Sequence, residues 1–297
     1  MAGYKTETAT DARSQARSES ALELGFERGG CGQTVLVRSV QQPPLRVVRA
    51  FALPDGSALA HVHNVSGGLL GGDALSLSVD VGPHAQVQLT TTSATRIYRP
   101  RAGALPATQR NHIRVAENAV LEYVPDAIIP FAGSRFVQET TIELAAGAGL
   151  FWWEIVAPGR EARAEVFAYE SFEMNLDLLA GRELIAAERV RLVPRERAVD
   201  SPVRLGPFRY WATLYICRVG VAGAEWLHVE ERLRLAAGGF AASASALWGV
   251  STLTAHGLAV RCLAKHGRDA VTGLHLLWNE AKQLLYNREA IRPRKVN

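Results

Sequence analysis

Two histidines, four glycines and an aspartate lie close together in the segment HVHNVSGGLLGGD, residues 61–73. If residues 58–64 are extended, His61 and His63 project from one face, because side chains alternate along a strand. Two imidazoles on one face, with Asp73 as a third ligand, suit Zn²⁺, Ni²⁺ or Cu²⁺. His-x-His is also frequent by chance, so the motif favours a weak, transient metal contact over a permanent cage.

The glycines of this segment, Gly67, Gly68, Gly71 and Gly72, suggest comparison with phosphate-binding loops. The segment has neither a Gly-Lys-Ser/Thr ending nor a G-x-G-x-x-G pattern. Such loops also lead into a helix, whereas the residues after Asp73 alternate as a strand does. The glycines therefore predict a tight corner where the backbone takes positive φ or approaches a neighbour closely. Asp73 then either accepts hydrogen bonds from backbone amides or serves as a functional carboxylate.

Two further segments place charges among apolar residues. PDAIIPFAGSRFVQ carries Asp126 and Arg135, and APGREARAE carries Arg160, Arg163 and Glu165. Cross-strand ion pairs are the simpler interpretation of both. No activated nucleophile accompanies a base at a recognisable spacing, and neither G-x-S-x-G nor H-E-x-x-H occurs. Hydrolytic activity is therefore disfavoured.

Composition excludes several classes of protein. The 297 residues are 48% hydrophobic and 21% charged, which is ordinary for a globular protein. The net charge of +4 is modest and is not gathered into a basic, aromatic-studded stripe, which argues against nucleic-acid binding. No run of 18 apolar residues predicts a membrane span. Cys31, Cys217 and Cys262 lie far apart and form no disulfide framework, so we expect a reducing, cytoplasmic environment.

Apolar residues recur at every second position after about residue 22, which predicts strands. The pattern is found in ALSLSVDV (74–81), AQVQLTTT (85–92), NHIRV (111–115), ETTIEL (139–144) and VEERLRL (229–235). A strand, a turn of small residues and a second strand recur at a spacing of roughly 25–35 residues, which favours a sheet that winds on itself.

The pattern changes near residue 249. DAVTGLHLLWNEAKQLLYNRE has the spacing of an amphipathic helix, and STLTAHGLAVRCLAKHG resembles a second helix interrupted by Gly257. The predicted fold is mainly β, a wound, β-helix-like multi-strand sheet structure with a short C-terminal α-helical hairpin. Strands are expected to about 247 and helices over about 249–287, within a single domain, 22–297. Residues 1–21 have no signal-peptide core and are predicted to be a disordered lead-in.

Five segments, in this order, resemble the UreD family of urease accessory proteins, also called UreH. They are HNVSGGLLGGD, TTTSATRIYR, LEYVPDAIIPFAGSRFVQ, PGREARAE and the closing GLAVRCLA with LHLLWNEAKQLLYNR. Together they cover roughly residues 22–290. Two departures are Ala164, where the family pattern leads us to expect glycine, and the tail RPRKVN, which lacks a final tryptophan.

The resemblance implies a non-enzymatic chaperone that delivers nickel to apo-urease. It implies a UreF-like partner, a UreG-like GTPase recruited through that partner, and nickel carried only transiently, with no permanently bound cofactor. A polar internal passage would need several weak ligands, since a deep binding well would not release the ion. The residues that we expect to line it or contact nickel weakly are Asp73, His61, His63, Glu165 and Glu188. Positions expected to shape the wall or an interface are Gly67, Gly68, Gly71, Gly72, Tyr98, Arg99, Asp126, Arg135 and Arg160.

Two alternatives stay open from the residues alone. One is a β-solenoid enzyme acting on carbohydrate, which would use paired carboxylates such as Asp73 and Glu165 separated by about 5–10 Å. The other is a binding protein whose exposed aromatic residues and C-terminal helices hold an oligomer together.

Overall fold

A computed structural model describes residues 18–241 and 245–293, which form three layers. A seven-stranded sheet packs against an eleven-stranded sheet through one apolar core. Two helices cover the opposite face of the second sheet through another core. No helix in the described part of the chain is long and apolar enough to cross a membrane.

The elements of the described residues follow in chain order. The first sheet contains β1 (Ser18–Arg28), β2 (Thr34–Gln41), β6 (Asp73–Val81), β9 (Ala107–Val115), β12 (Arg135–Leu144), β14 (Ser171–Ala180) and β15 (Glu183–Leu192). The second contains β3 (Leu45–Arg46), β4 (Ala50–Ala52), β5 (Ala58–Asn64), β7 (Gln86–Thr91), β8 (Thr95–Ile97), β10 (Val120–Tyr123), β11 (Ile128–Pro130), β13 (Gly149–Val156), β16 (Tyr210–Arg218), β17 (Ala246–Thr252) and β18 (Gly257–Ala264). The α-helices are α1 (Gly223–Ala241) and α2 (Gly267–Tyr286).

The middle of the chain passes alternately between the two sheets. Strands β6, β9, β12 and β14 are parallel neighbours in the first sheet. Strands β5, β7, β10 and β13 are parallel neighbours in the second. Each pass thus adds one strand to each sheet, and antiparallel strands complete the edges. The predicted mainly β fold is confirmed.

The inter-sheet core follows the predicted alternation. In β6, Leu75, Leu77, Val79 and Val81 are all buried in this core, while Ser76 is exposed. The segments predicted as β7, β9 and β12 are likewise strands. Short-range periodicity therefore predicted both the strands and the faces that they bury.

Helix α2 is attached to the second sheet by a buried polar contact as well as by apolar packing. Lys282 Nζ lies 2.7 Å from Glu122 Oε1, and Trp278 Nε1 donates a 2.8 Å hydrogen bond to Glu122 Oε2. All three residues are buried. Burial raises the pKa of Glu122, and the charge and hydrogen bond of Lys282 oppose that rise. The contact anchors the predicted amphipathic helix to β10.

The predicted helical hairpin is wrong in its first half. Residues 246–264 form the antiparallel pair β17 and β18, so the two α-helices are separated by strands. Leu258 and Val260 of β18 pack towards the helices, whereas Ala259 packs in the inter-sheet core. A strand buried on both faces carries apolar residues almost continuously, and such a run also satisfies a helical spacing.

The strand predicted over 229–235 is also wrong, because these residues belong to α1. Trp226, Val229, Leu233 and Ala237 are buried at helical spacing, while Leu235 is exposed. The short alternation in VEERLRL coincided with part of this longer 3.6-residue pattern.

The structured chain begins before the predicted boundary at residue 22. Strand β1 starts at Ser18 and pairs in parallel with β6 from Asp73 onward. Residues 18–21 are therefore part of the first sheet. The rest of the predicted lead-in, 1–17, lies outside the described residues.

Candidate functional site: a glycine corner and an interior polar row

The glycine corner packs closely against the segment that follows β8. A Cβ atom placed on Gly68 would lie 2.4 Å from the carbonyl oxygen of Arg96. One placed on Gly71 would lie 2.2 Å from Pro100 Cβ. Both distances are shorter than any non-bonded contact that packing permits, so only glycine fits these positions. The strand β6 follows directly, and this favours the corner over a phosphate-binding loop.

Positive φ angles and two hydrogen bonds complete the corner. Gly67 and Gly72 have φ angles of 80° and 91°, in the region that favours glycine. The hydroxyl of Tyr98 donates a 3.1 Å hydrogen bond to the carbonyl oxygen of Gly67. Asp73 Oδ2 accepts a 2.8 Å hydrogen bond from the amide of Leu70. Asp73 therefore satisfies the backbone of the turn, the first of its two predicted roles.

Glu165 is held in an ion pair that closes the neighbouring loop. Arg160 Nε donates a 2.8 Å hydrogen bond to Glu165 Oε2, and Arg160 Nη2 pairs with Oε1. The amide of Ala132 also donates to Oε2, at 3.1 Å. These contacts, first the hydrogen bond from Arg160, lower the pKa of Glu165. The guanidinium of Arg160 lies 4.1 Å above the ring of Phe131.

The departure at Ala164 lies in this loop. Ala164 follows a short 3₁₀ helix, Glu161–Arg163, and has a φ of 58°. Glycine takes this conformation at no steric cost, whereas alanine adopts it with strain. The backbone geometry thus accounts for an expected glycine at this position.

Arg99 and Arg135 support the same end of the molecule. The side chain of Arg99 packs beside Gly133, whose ideal Cβ position lies 3.3 Å from Arg99 Cδ. Arg135 Nη2 donates to the carbonyl oxygen of Ala104, and its Nε lies 3.7 Å from Glu170 Oε2. Four of the five motif segments that carry the family resemblance therefore meet at the glycine-corner end of the sheets.

The histidines lie on a different face from the core. Ala58, Ala60 and Val62 of β5 point into the inter-sheet core, so His61 and His63 project outward together. Burial, and then the nearby charge of His61, lower the pKa of His63. Within residues 18–241 and 245–293, no three His, Cys, Asp or Glu side chains are grouped to hold a metal ion. The structure therefore does not bring Asp73 to the histidine pair as a third ligand.

Asp126 is hydrogen-bonded to Thr91, one of the residues that line a small cavity between the sheets. The amide of Asp126 donates a 2.8 Å hydrogen bond to Thr91 Oγ1. The cavity has a volume of about 40 Å³, and Thr91, Gln109 and Tyr123 are among its lining residues, as are Gly67 and Gly68. It thus lies directly behind the glycine corner.

A row of polar side chains leads from this cavity into the inter-sheet core. Gln109 Nε2 donates a 3.0 Å hydrogen bond to Asn111 Oδ1, and Asn111 Nδ2 donates a 3.0 Å bond to Thr140 Oγ1. Gln138 Nε2 lies 3.5 Å from the same Thr140 hydroxyl and donates to Glu154 Oε1 on the facing sheet. Asn111, Gln138 and Thr140 are buried. We call these five residues, with Glu188, the interior polar row.

Glu154 and Glu188 form the acidic end of the row. Burial raises the pKa of Glu154 to about 7, the hydrogen bond from Gln138 opposes the rise, and the charge of Glu188 adds to it. Tyr215 donates a 2.6 Å hydrogen bond to Glu188 Oε2, and Arg261 Nη1 lies 2.5 Å from Oε1. Glu188 and Arg261 also line a second pocket, of about 210 Å³, at the edge of the sheets. The hydrogen-bonded part of the row thus runs from the cavity behind the glycine corner to Glu154, and Glu188, which influences Glu154 through its charge, lines this second pocket.

Of the predicted lining residues, only Glu188 belongs to the interior polar row. Sequence reasoning missed the other five members of the row, Gln109, Asn111, Gln138, Thr140 and Glu154. The signal for Glu154 was present, because it is the single charge within the apolar strand LFWWEIV. Gln109 and Asn111, two residues apart on β9, share the inward face, and so do Gln138 and Thr140 on β12.

These features define a mainly β protein with a row of polar side chains in its inter-sheet core. The sequence matches the UreD urease accessory protein family over residues 18–297. It is 44% identical to the urease accessory protein UreD of Herpetosiphon aurantiacus over 264 residues, 89% of this chain and 92% of that protein. It is 34% identical to the UreD protein of Pseudomonas aeruginosa strain PAO1 over 92% of each chain.

The chain belongs to the UreD family of urease accessory proteins. This membership confirms the predicted family and the prediction of an accessory protein rather than an enzyme. It also supports a role in urease maturation.

Proposed function

We propose that this chain conducts nickel towards the active site of apo-urease, within an assembly that includes a UreF-like protein and a UreG-like GTPase. Nickel is the cargo, held transiently and in the cytoplasm, and the chain needs no permanently bound cofactor. The interior polar row is the observation that carries the proposal. A row of buried polar side chains lowers the stability of an apolar core, because buried polar groups stabilise a core less than apolar packing does. The presence of such a row therefore favours a functional role for its oxygen ligands.

The chemistry of the row suits a divalent ion in transit. Carboxylates, amide oxygens and hydroxyls are all ligands that Ni²⁺ accepts, and none of these side chains is a thiolate that would grip it. Glu154 and Glu188 supply negative charge where the row approaches the second pocket. Their spread along a path, without a saturated cage, favours rapid passage over storage.

The predicted positions that lie outside the row take supporting roles in this proposal. Asp73 and the glycines shape the wall behind which the cavity lies. Glu165 is neutralised by Arg160 and holds a loop in place. The outward-facing His61 and His63 are a separate, surface contact for nickel.

The carbohydrate-enzyme alternative loses its support. It requires two carboxylates with separate acid and nucleophile roles, one of them with a raised pKa. The pKa of Glu165 is lowered instead, and Asp73 accepts a backbone hydrogen bond inside a turn.

Nickel loading of urease tests the proposal directly. Urease would be matured at limiting Ni²⁺ with the wild-type chain or with the variants Glu154→Gln and Glu188→Gln, and the metal content of purified urease measured. We expect each variant to lower nickel per active site and the double variant to lower it further. Glu139→Gln is the matched control, because Glu139 lies on the exposed outer face in an ion pair with Arg110.

Two further measurements separate a conduit from a structural role. Arg261→Gln removes the partner of Glu188 but leaves its carboxylate, so we expect it to retain nickel loading better than Glu188→Gln. Pull-down of urease by each variant checks that assembly is intact. Normal nickel content in urease matured by a folded, assembled double variant would overturn the proposal.

A further inference from the structure

An exposed apolar groove lies beside the glycine corner. Its volume is about 650 Å³, and Pro43, Pro44, Val65, Leu70 and Tyr98 are among the residues that line it. Val65 and Leu70 are 64% and 54% exposed, unusually open for large apolar side chains next to each other. The amide of Val65 donates a 3.0 Å hydrogen bond to the carbonyl oxygen of Pro44, which fixes one wall of the groove to the other.

Four exposed arginines belong to the chain segments that border this groove, although its lining residues do not include them. Arg46 follows the two prolines of its wall by two residues. Arg96, Arg99 and Arg101 belong to the segment that packs against the glycine corner. Within residues 18–241 and 245–293, none of the four has a carboxylate within 4.0 Å.

Arginines on the outer face of the first sheet are arranged differently. Arg110 pairs with Glu139, and Arg114 pairs with Asp80. These pairs neutralise the sheet surface locally, as is usual for a solvated face. The arginines around the groove therefore lack counter-charges that the fold provides elsewhere.

The carboxylate within the groove does not compensate for them. Asp73 accepts the hydrogen bond from the Leu70 amide and is thereby committed to the turn. The groove thus combines an apolar floor with bordering segments that carry unbalanced positive charge. We call this surface the arginine-rimmed groove.

We propose that the arginine-rimmed groove docks an acidic, amphipathic segment of a protein partner. This inference rests on the proposed function. The partner belongs to the proposed assembly, and it binds the chain at the glycine-corner end. Apolar side chains of the segment occupy the space between Val65 and Leu70. Its carboxylates pair with Arg46, Arg96, Arg99 and Arg101, since guanidinium groups bind carboxylates in a bidentate manner.

The shape of the surface favours a protein over other anionic partners. Single-stranded nucleic acid is bound by rows of exposed aromatic rings on which bases stack, and Tyr98 is instead half-buried against Phe131 at 5.0 Å. A membrane surface favours a protruding apolar ridge with aromatic anchors. A concave groove lined by proline, valine and leucine fits apolar side chains of a peptide segment.

Binding to purified partners across a range of salt tests this inference. The probes are apo-urease and each of the other urease maturation proteins from the same source organism, measured separately. Reversal of all four charges, Arg46→Glu, Arg96→Glu, Arg99→Glu and Arg101→Glu, should weaken binding of one probe by about tenfold or more. Wild-type affinity for that probe should fall as salt rises, because exposed charges are screened. Leu70→Asp should weaken it independently.

A matched charge reversal controls for net charge. Arg28, Arg182, Arg195 and Arg197 are exposed and lie at the opposite end or edge of the first sheet, so their replacement by glutamate should leave the affinity unchanged. Thermal unfolding verifies that each variant is folded. If a set of four Arg→Glu substitutions prevents folding, the four Arg→Gln substitutions at the same positions are tested instead. Wild-type affinity in the folded groove variants would overturn the inference.

Two other outcomes would also overturn it. One is equal, arginine-dependent binding to single-stranded DNA or to vesicles of anionic lipid, which would make the groove a general anion surface. The other is that none of the protein probes binds. Nickel loading of urease is scored in parallel. Unchanged docking in the groove variants, with nickel loading that still depends on the chain, would overturn this inference alone, whereas nickel loading that does not depend on the chain would overturn the proposed function.

Discussion

Gln138 on the first sheet donates a hydrogen bond to Glu154 on the second, across the space between the two sheets. It joins the neutral part of the interior polar row, Gln109 to Thr140, to its acidic end at Glu188. Aliphatic and aromatic side chains dominate the core that surrounds this row. The Glu154 carboxyl therefore lies where burial disfavours its ionised form, so the free energy of unfolding should depend on whether Glu154 is protonated.

The first prediction is that Glu154→Gln stabilises the protein at high pH. The folded state raises the pKa of Glu154 from 4.5 to about 7, so folding favours the protonated form. Below the unfolded pKa, Glu154 does not lower the free energy of unfolding. Its destabilising effect grows as pH rises from the unfolded pKa to the folded pKa, and it is fully present above the folded pKa. The shift corresponds to about 3 kcal/mol at most. Urea unfolding should therefore show a gain for Glu154→Gln at pH 8 that disappears near pH 4.

The second prediction concerns the buried contact between Glu122 and Lys282. Lys282→Met should lower the free energy of unfolding by about 3–5 kcal/mol, because it leaves a buried carboxyl group without its counter-charge. Adding Glu122→Gln should recover much of that loss. A double-mutant cycle measured by urea unfolding checks the coupling. Additive losses in the double variant would contradict the assigned pairing.

The third prediction is that the glycine corner tolerates no side chain. Gly68→Ala should destabilise the protein by about 1–3 kcal/mol, since the new methyl group meets the carbonyl oxygen of Arg96 at 2.4 Å. Gly30→Ala is the control, because a Cβ there meets no atom within 4 Å. Thermal unfolding of both variants measures the difference. Equal melting temperatures would show that the corner is not closely packed.

The fourth prediction concerns the pH dependence of the loop held by Glu165. Its folded pKa is lowered, chiefly by the hydrogen bond from Arg160, so its ionised form stabilises the fold. That contribution is present above the unfolded pKa and is lost as pH falls through the folded one. Glu165→Gln should therefore be less stable than wild type at neutral pH and equal to it in acid. A difference that persists at low pH would point to packing rather than charge.

The sequence alone determined part of the inter-sheet core, namely the strands β6, β7, β9 and β12, and also the helix α2. In β6 and β12 one face packs against apolar neighbours, and the other faces polar neighbours or solvent. Apolar and polar residues therefore alternate along each strand, and this alternation is visible in the sequence. The glycine corner was predictable for a similar reason, since positive φ and close approach require the same residue in any context. The five motif segments likewise sufficed to predict the family.

The tertiary structure alone decided where those segments meet and which polar residues face inward. The pattern in β18 fitted a helix because both of its faces are buried, and only its position between β16 and β17 makes it a strand. Glu154 and Glu188 are 34 positions apart in the chain and influence each other only because β13 and β15 lie in facing sheets. Local sequence patterns reflect which face of a strand or helix is buried. The polar contacts of the core depend instead on which strands of the other sheet lie opposite, and this is decided only by the tertiary structure.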